Sequence, residues 1–264
     1  MTEPIPRLPE GFTPLFEPAE IVGGRYEVVR LIGRGGFSQV YEVRDAEGHP
    51  FALKVLSLAK ADENERKDAR RLVREGRVLA QVRHPNLVRY ERLDVDPETS
   101  RLYLVLELVE GMTLRRVIHE RRLGLLEILD IGIGVAAGLG ALHEQALIHR
   151  DIKPENLMVG SSSSSTVKIL DLGLIKAQGV SQGTTRPLGT YLYMSPEALN
   201  SQDVTPSADV YSLGHTLYEM CAGEHAFTEA GHDNLGLAQA EVIVKHVTDR
   251  FVVCPLSERL DHFP

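Results

Sequence analysis

The sequence predicts an α+β fold of two lobes, in which a small antiparallel β-sheet with one helix precedes a mainly α-helical lobe. Two observations predict this fold. Short β-rich runs separated by glycine-containing turns fill residues 26–55, whereas long apolar or amphipathic stretches dominate the chain after Gly111. We therefore divide the 264 residues into a proline-rich flexible leader (1–25), a first lobe (26–108) and a second lobe (109–264).

The leader is predicted from its composition. Residues 1–24 contain five prolines, show no sustained hydrophobic period and end in Gly23-Gly24, so the folded part should begin near Tyr26. Three strands are then predicted, at residues 26–32, 40–44 and 51–55.

Helical periodicity follows. Apolar residues recur every three or four positions through 69–82, which predicts one amphipathic helix ending before His84-Pro85. Further strands are predicted at 87–93, 102–108, 157–159 and 167–170, the last two joined by a serine-rich loop, and further helices at 125–145, 207–222 and 235–247.

Composition excludes several classes of function. A formal net charge of −8 argues against a nucleic-acid partner held through its phosphates. The two cysteines, Cys221 and Cys254, lack the spacing of a zinc site or a disulfide framework. The most apolar stretch, 131–142, is too short to span a bilayer. We therefore expect a cytoplasmic protein without a membrane segment in this chain, and the sequence gives no prediction of oligomeric state.

The octapeptide His-Arg-Asp-Ile-Lys-Pro-Glu-Asn at 149–156 contains, within a short stretch, the side-chain types that phosphoryl transfer needs. Asp151 can accept the proton of an attacking hydroxyl, Lys153 can neutralise charge on the transferred group, and Asn156 can hold a magnesium ion. A random surface loop rarely combines these residues, so this motif is specific.

Two motifs in the first lobe are less specific when each is taken alone. The glycine-rich turn that begins at Gly33 can fold its backbone amides over phosphates, although a plain hairpin explains it equally well. Lys54 stands in an apolar strand, where it either grips phosphates or lies at a sheet edge with its charge extended to water. If Lys54 grips phosphates, Glu75 in the predicted helix is its expected partner.

The order of these motifs along the chain resembles that of a known family. Asp171-Leu172-Gly173 follows a strand, Ser195-Pro196-Glu197 closes the loop beyond it, and Asp209 begins a helix. With Lys54 and the octapeptide, this set resembles the eukaryotic-like (Hanks-type) serine/threonine protein kinases in their bacterial form, and the resemblance covers residues 26–264.

The resemblance implies a bilobal kinase fold that binds ATP and Mg²⁺, with Mn²⁺ as an alternative metal, in the cleft between the lobes. Leu106, in the hinge between the lobes, would guard the back pocket. The catalytic residues would be Asp151, Lys153, Lys54 and Glu75. The metal ligands would be Asn156 and Asp171, and the nucleotide would contact Ile32, Gly33, Gly35, Gly36, Val40, Ala52, Lys54, Glu107, Val109 and Met158.

The same resemblance implies the acceptor and its regulation. Thr190, which would bridge Asp151 and Lys153, is characteristic of kinases that phosphorylate serine and threonine in proteins. Thr184 and Thr185 are the expected phosphorylation sites of the activation loop, and Arg150 would pair with the phosphate.

The sequence departs from the family pattern at three points. Ser38 replaces the third glycine of the glycine-rich loop, and Leu172 replaces the usual phenylalanine. The chain also stops where the last helices should begin, without a clear arginine to pair with Glu197. A truncated, catalytically weak scaffold that binds nucleotide or partners is therefore an alternative interpretation, and such a chain should leave an apolar face uncovered. A small-molecule phosphotransferase is a third interpretation of the chain.

Overall fold

The computed structural model describes residues 13–34, 38–56, 82–160, 166–170, 192–199 and 204–226. The chain forms two compact units. The first comprises residues 1–84, 88–111 and 174–180, and the second comprises 85–87, 112–173 and 181–264. The main change of unit falls after Gly111. The predicted helices at 69–82 and 235–247 lie outside the described residues.

The first unit is built on a six-stranded antiparallel sheet. Its strands lie in the order β1-β2-β3-β4-β6-β5. The strands are β1 (Ile21–Val22), β2 (Tyr26–Arg34), β3 (Ser38–Arg44), β4 (Pro50–Leu56), β5 (Tyr90–Val95) and β6 (Leu102–Glu107). Five of them begin or end within a few residues of the strands predicted from the β-rich runs, whereas β1 was not predicted.

One face of this sheet carries the hydrophobic core. Side chains alternate between the two faces of a strand, so Leu53 and Val55 of β4 share a face. Both are fully buried, and they pack in one cluster with Phe16, Val22, Tyr26, Val28, Tyr41, Val43, Tyr103 and Val105. The intervening residues Ala52 and Lys54 consequently lie on the opposite face.

The expectation of a flexible leader up to residue 25 is wrong for residues 13–25. Phe16 is only 6% exposed and belongs to the core cluster. The backbone amides of Leu15 and Phe16 donate to the hydroxyl of Tyr41 at 2.8 and 3.2 Å. β1 pairs with β2 through Val22 and Tyr26. The prolines suggested a flexible chain, but apolar contacts and backbone hydrogen bonds hold residues 13–25 on the sheet.

The second unit combines helices with a small sheet. In the described part of this unit the helices are α1 (Leu114–Glu120), α2 (Leu125–His143), α3 (Pro196–Leu199) and α4 (Ser207–Ala222). A three-stranded sheet in the order β7-β8-β9 consists of β7 (Gly111–Thr113), β8 (Leu157–Gly160) and β9 (Val167–Ile169). α2 packs against α4 and β9. The predicted helix at 207–222 is confirmed with the same bounds.

α2 is more apolar and longer than the stretch 131–142 suggested. It has 19 residues and a mean hydropathy of 1.9, so by length and composition alone it could cross a membrane. Core helices of soluble proteins meet the same criterion, and α2 buries Ile131 and Val135 within its own unit. Its outer side leaves Leu126 and Ile133 exposed, at 78% and 67%.

Phe16→Ala tests the attachment of the leader. The ring packs edge-to-face on Tyr41 with centroids 5.8 Å apart, so its loss should leave a cavity and lower the free energy of unfolding by about 3 kcal/mol. Urea denaturation measures this change. Val95→Ala, at a side chain that is 48% exposed, should change stability by less than about 0.5 kcal/mol. Equal unfolding midpoints for Phe16→Ala and wild type would show that residues 13–16 do not contribute to the core.

Candidate active site

Lys54 lies on an inner strand of the first unit. β4 is flanked by β3 and β6, and Lys54 is 7% exposed. The alternative that this lysine lies at a sheet edge and reaches water is therefore excluded. A lysine on an inner strand, away from water, is costly unless other groups offset its charge, so such a position favours a functional role.

Several residues predicted to contact the nucleotide share the face of Lys54. Cross-strand partners in an antiparallel sheet have their side chains on the same side. Val40 pairs with both Gly33 and Lys54, and Ala52 lies two residues from Lys54 on the same strand. Ile32 lies at an irregularity of β2, where the register shifts between Leu31 and Gly33. The sheet therefore brings Gly33, Val40, Ala52 and Lys54 together.

The segment after β6 carries the predicted backbone contacts to adenine. The amide of Glu107 donates to the carbonyl of Arg89 at 2.9 Å, and the Glu107 side chain accepts from the amide of Arg89 at 2.9 Å. An adenine contact from Glu107 would therefore have to use its carbonyl group. Val109 is half-buried in the irregular chain that follows. Leu106, which would guard the back pocket, is buried opposite Ala52.

The octapeptide forms a compact loop in the second unit that brings three predicted site residues together. The carboxamide nitrogen of Asn156 donates to the backbone carbonyl of Asp151 at 2.7 Å and to its carboxylate at 3.0 Å. The ammonium group of Lys153 lies 3.4 Å from the same carboxylate. Because the nitrogen of Asn156 is used in this way, its carboxamide oxygen is the atom that can bind a metal. Such an oxygen suits a hard cation such as Mg²⁺.

Asp209, near the start of α4, braces this loop. Its carboxylate is fully buried and accepts hydrogen bonds from the backbone amides of His149 and Arg150 at 2.9 and 2.8 Å. The Nε2 atom of His143 lies 2.8 Å from the same carboxylate. Arg150 has a φ of 64°, a conformation that costs a non-glycine residue energy and is kept only when its surroundings fix it. Asp209 therefore holds the octapeptide loop through a set of hydrogen bonds.

The loop also fixes the chain just before the second predicted metal ligand. The amide of Leu170 donates to the carbonyl of Asn156 at 2.8 Å, and the ring of His149 donates to the carbonyl of Leu170 at 3.0 Å. Leu170 directly precedes Asp171 in the sequence. Met158, predicted to contact the nucleotide, lies on β8 opposite Lys168 and is half-buried.

Some predicted site residues lie outside the described part of the chain, so the site is built here without their positions. These residues are Gly35, Gly36, Glu75, Asp171, Thr184, Thr185 and Thr190. Glu197, for which the sequence offered no clear arginine, accepts a hydrogen bond from the hydroxyl of Ser207 at 3.5 Å.

Sequence reasoning missed one group of charged residues beside the loop. Arg115 on α1 contacts Glu155 of the octapeptide, Tyr193 and Glu219 of α4. These residues are separated by up to 104 positions, so no local pattern in one sequence could have joined them.

Asp209→Asn tests the brace. The asparagine amide would turn a donor toward a backbone N–H and leave one buried amide unsatisfied, so the free energy of unfolding should fall by about 3 kcal/mol. Asp94→Asn is a matched control, because the Asp94 side chain is 50% exposed and lies 3.5 Å from Arg92. It should change stability by less than about 1 kcal/mol in the same denaturant titration. Equal losses in the two variants would contradict the brace.

Comparisons with known proteins agree with this geometry. The family model for the protein kinase domain matches residues 26–259. A probable serine/threonine-protein kinase of Clostridium perfringens is 35% identical over 239 residues, which are 88% of this chain and 33% of that protein. The serine/threonine-protein kinase PknB of Mycobacterium leprae is 33% identical over 232 residues, 85% of this chain and 36% of that protein. The chain thus spans about a third of the length of these relatives.

A solved structure shows the same fold. The crystal structure of the Mycobacterium tuberculosis PknI kinase domain matches with a TM-score of 0.65 and 26% sequence identity, over 88% of this chain and 87% of that one. The predicted α+β kinase fold and the resemblance to bacterial serine/threonine kinases are both confirmed. Protein kinases use ATP with a divalent metal ion. The chain belongs to the protein kinase domain family.

Proposed function

We propose that this chain is the catalytic part of a serine/threonine protein kinase, which transfers the γ-phosphoryl group of ATP to hydroxyl groups of protein substrates. The observation that carries the proposal is the Asp151, Lys153 and Asn156 cluster, held on a loop whose backbone is fixed by Asp209. The bacterial relatives, which are named as serine/threonine kinases, support the choice of acceptor.

Each residue of the cluster has a distinct task in this proposal. Asp151 orients the acceptor hydroxyl and takes its proton, and the hydrogen bond from Asn156 keeps the carboxylate in place. Lys153 offsets negative charge beside that carboxylate. Lys54 would hold ATP phosphates on the face of the first unit's sheet opposite the core cluster, with Glu75 as its partner. Asn156 and Asp171 would hold Mg²⁺, which neutralises charge on the phosphates when it is bound.

Asp151→Asn tests the assignment. The amide keeps the size of the side chain but cannot accept the proton, so turnover should fall by roughly 10²- to 10⁴-fold while the affinity for ATP stays unchanged. Transfer from labelled ATP to a serine- and threonine-containing acceptor protein measures turnover, and calorimetry measures ATP binding. Asp130→Asn, at an exposed carboxylate of the second unit, should behave like wild type.

Two results would contradict the proposal. Undiminished transfer by Asp151→Asn would remove Asp151 from the chemistry. Binding of ATP without transfer by the wild-type protein would favour a nucleotide-binding scaffold instead.

The same assay with Mg²⁺ or Mn²⁺ as the metal decides which ion supports transfer, and phosphoamino-acid analysis distinguishes serine and threonine from tyrosine.

We also propose that the kinase phosphorylates its own activation loop at Thr184 or Thr185. Incubation with ATP should place phosphate between residues 171 and 197, and peptide mapping by mass spectrometry locates it. The Thr184→Ala/Thr185→Ala double variant should lose that modification, whereas Thr205→Ala, in the described part of the chain near α4, should keep it. Phosphate found only outside 171–197 would overturn this regulation.

A further inference from the structure

Residues 13–16 of the leader, here named the clamp, bind two side chains of β3 that the chemistry proposed above does not use. The amide of Leu15 donates to the side-chain oxygen of Gln39 at 2.9 Å and to the hydroxyl of Tyr41 at 2.8 Å. The amide of Phe16 donates to the same hydroxyl at 3.2 Å. These hydrogen bonds join the backbone of the leader to one strand of the first unit's sheet.

The two β3 side chains also bind each other. The hydroxyl of Tyr41 donates to the side-chain oxygen of Gln39 and accepts two backbone amides, so its one donor and two acceptor positions are all used. The carboxamide nitrogen of Gln39 donates to the carbonyl of Thr13 at 3.4 Å. Burial raises the pKa of Tyr41, so the hydroxyl keeps the proton that it donates. The clamp and β3 thus share one closed set of hydrogen bonds.

Apolar contacts hold the clamp in the same place. The ring of Phe16 packs edge-to-face on the ring of Tyr41, and the guanidinium of Arg101 lies 5.8 Å from the centroid of the Phe16 ring. Phe16 is buried in the core cluster of the first unit. A side chain held on two sides in this way fixes the backbone amides beside it, which are those that bind β3.

The clamp contacts β3 beside residues that are predicted to contact the nucleotide. Gln39 pairs with Arg34, and the next residue, Val40, pairs with both Gly33 and Lys54. Because side chains alternate along a strand, Gln39 faces the core cluster and the clamp, whereas Val40 faces the side of Lys54. The same end of β3 therefore carries the clamp on one face and the predicted nucleotide contact on the other.

The register of β3 depends on these contacts. A shift of the strand by one residue would turn Gln39 to the opposite face and break its hydrogen bonds with the clamp. The neighbouring strand β2 is less regular, because its register with β3 shifts between Val28 and Arg30 and again between Leu31 and Gly33. The clamp thus fixes β3 where its pairing with β2 is interrupted.

We propose that the clamp positions Gly33 and Val40 for ATP, and that Gln39 and Tyr41 are the positioning residues through which it acts. The proposal rests on the proposed kinase function. Residues that are already held in the binding geometry lose less conformational freedom when a ligand binds, so the clamp should raise the affinity for ATP. Without the clamp, the strand ends would occupy that geometry for a smaller fraction of the time, and the apparent dissociation constant would rise by the same factor.

Gln39→Leu in the full chain tests the proposal. Leucine is similar in size but can neither accept from Leu15 nor donate to Thr13, so the KM for ATP and the dissociation constant from calorimetry should rise roughly tenfold. The kcat at saturating ATP should stay within about twofold of wild type, because bound ATP restores the geometry. Gln39→Glu keeps the acceptor oxygen and should bind ATP within about threefold of wild type.

Val22→Ala is the matched control. Val22 belongs to the same leader and is fully buried in the same core cluster. It pairs with Tyr26, which lies about 23 Å from Gly33 along β2 at roughly 3.3 Å per residue. The variant should lower the melting temperature and leave the affinity for ATP unchanged, which separates a loss of stability from a loss of positioning.

Amide hydrogen exchange without nucleotide gives a readout that does not depend on catalysis. Mass spectrometry of Gln39→Leu should show exchange that is roughly tenfold faster in peptides covering Ser38–Arg44. Peptides covering Leu102–Glu107 should exchange as in wild type. Tyr41→Phe, which removes only the hydroxyl, should change exchange and ATP affinity in the same direction, and it replaces Gln39→Leu if that variant does not fold.

Three outcomes would overturn the proposal. One is wild-type affinity for ATP in folded Gln39→Leu or Tyr41→Phe. Another is an equal loss of ATP affinity in Val22→Ala, which would reduce the clamp to a general contribution to stability. If wild type neither binds ATP nor transfers phosphate, the proposed kinase function fails by itself. Exchange then decides on the clamp, and unchanged exchange across Ser38–Arg44 would refute it.

Discussion

The second unit depends on the buried carboxylate of Asp209. This side chain accepts two backbone hydrogen bonds from the octapeptide and contacts His143 of α2, so it joins α4, α2 and the loop. A charge with no exposure to water is tolerated only when its hydrogen bonds are satisfied, which gives the loop little freedom to depart from one conformation. The left-handed backbone of Arg150 is maintained by the same contacts.

α4 carries a second buried carboxylate, and the two have different hydrogen-bond partners. Glu219 follows Asp209 by ten residues, so the two lie roughly 15 Å apart along the helix. Asp209 is satisfied mainly by backbone amides and therefore sets the shape of the loop that bears Asp151. Glu219 is satisfied by Arg115 and Tyr193, side chains that could in principle be exchanged for others.

Local sequence patterns predicted the elements well where their periodicity is strong. Ser207–Ala222 was predicted with its observed bounds, because apolar residues line one side and Gly223 ends the helix with a φ of 78°. The short β1 and α1 were missed, since two or seven residues carry too little periodicity to be recognised. The leader was mistaken for flexible chain because its many prolines obscured Phe16, a buried aromatic side chain that attaches residues 13–25 to the sheet.

The candidate site was predictable to the extent that its residues are close in sequence. Asp151, Lys153 and Asn156 were identified as a group because the first and the last are only five positions apart in the sequence. Asp209 was assigned through the order of motifs, although its partners His149 and Arg150 are about sixty residues away. Arg115 belongs to no such motif, and its partners are brought to it only by the packing of α1, α4 and the loop. Long-range charge pairing of this kind can be recognised only in the folded structure.

The most direct measurement of the central claim is amide hydrogen exchange at His149 and Arg150, followed by NMR. If the Asp209 carboxylate holds both amides, they should exchange as slowly as the core of α4, with an opening free energy close to that of global unfolding. Exchange of either amide at the rate of an exposed loop, while the amides of α4 remain protected, would contradict the claim that Asp209 fixes the octapeptide.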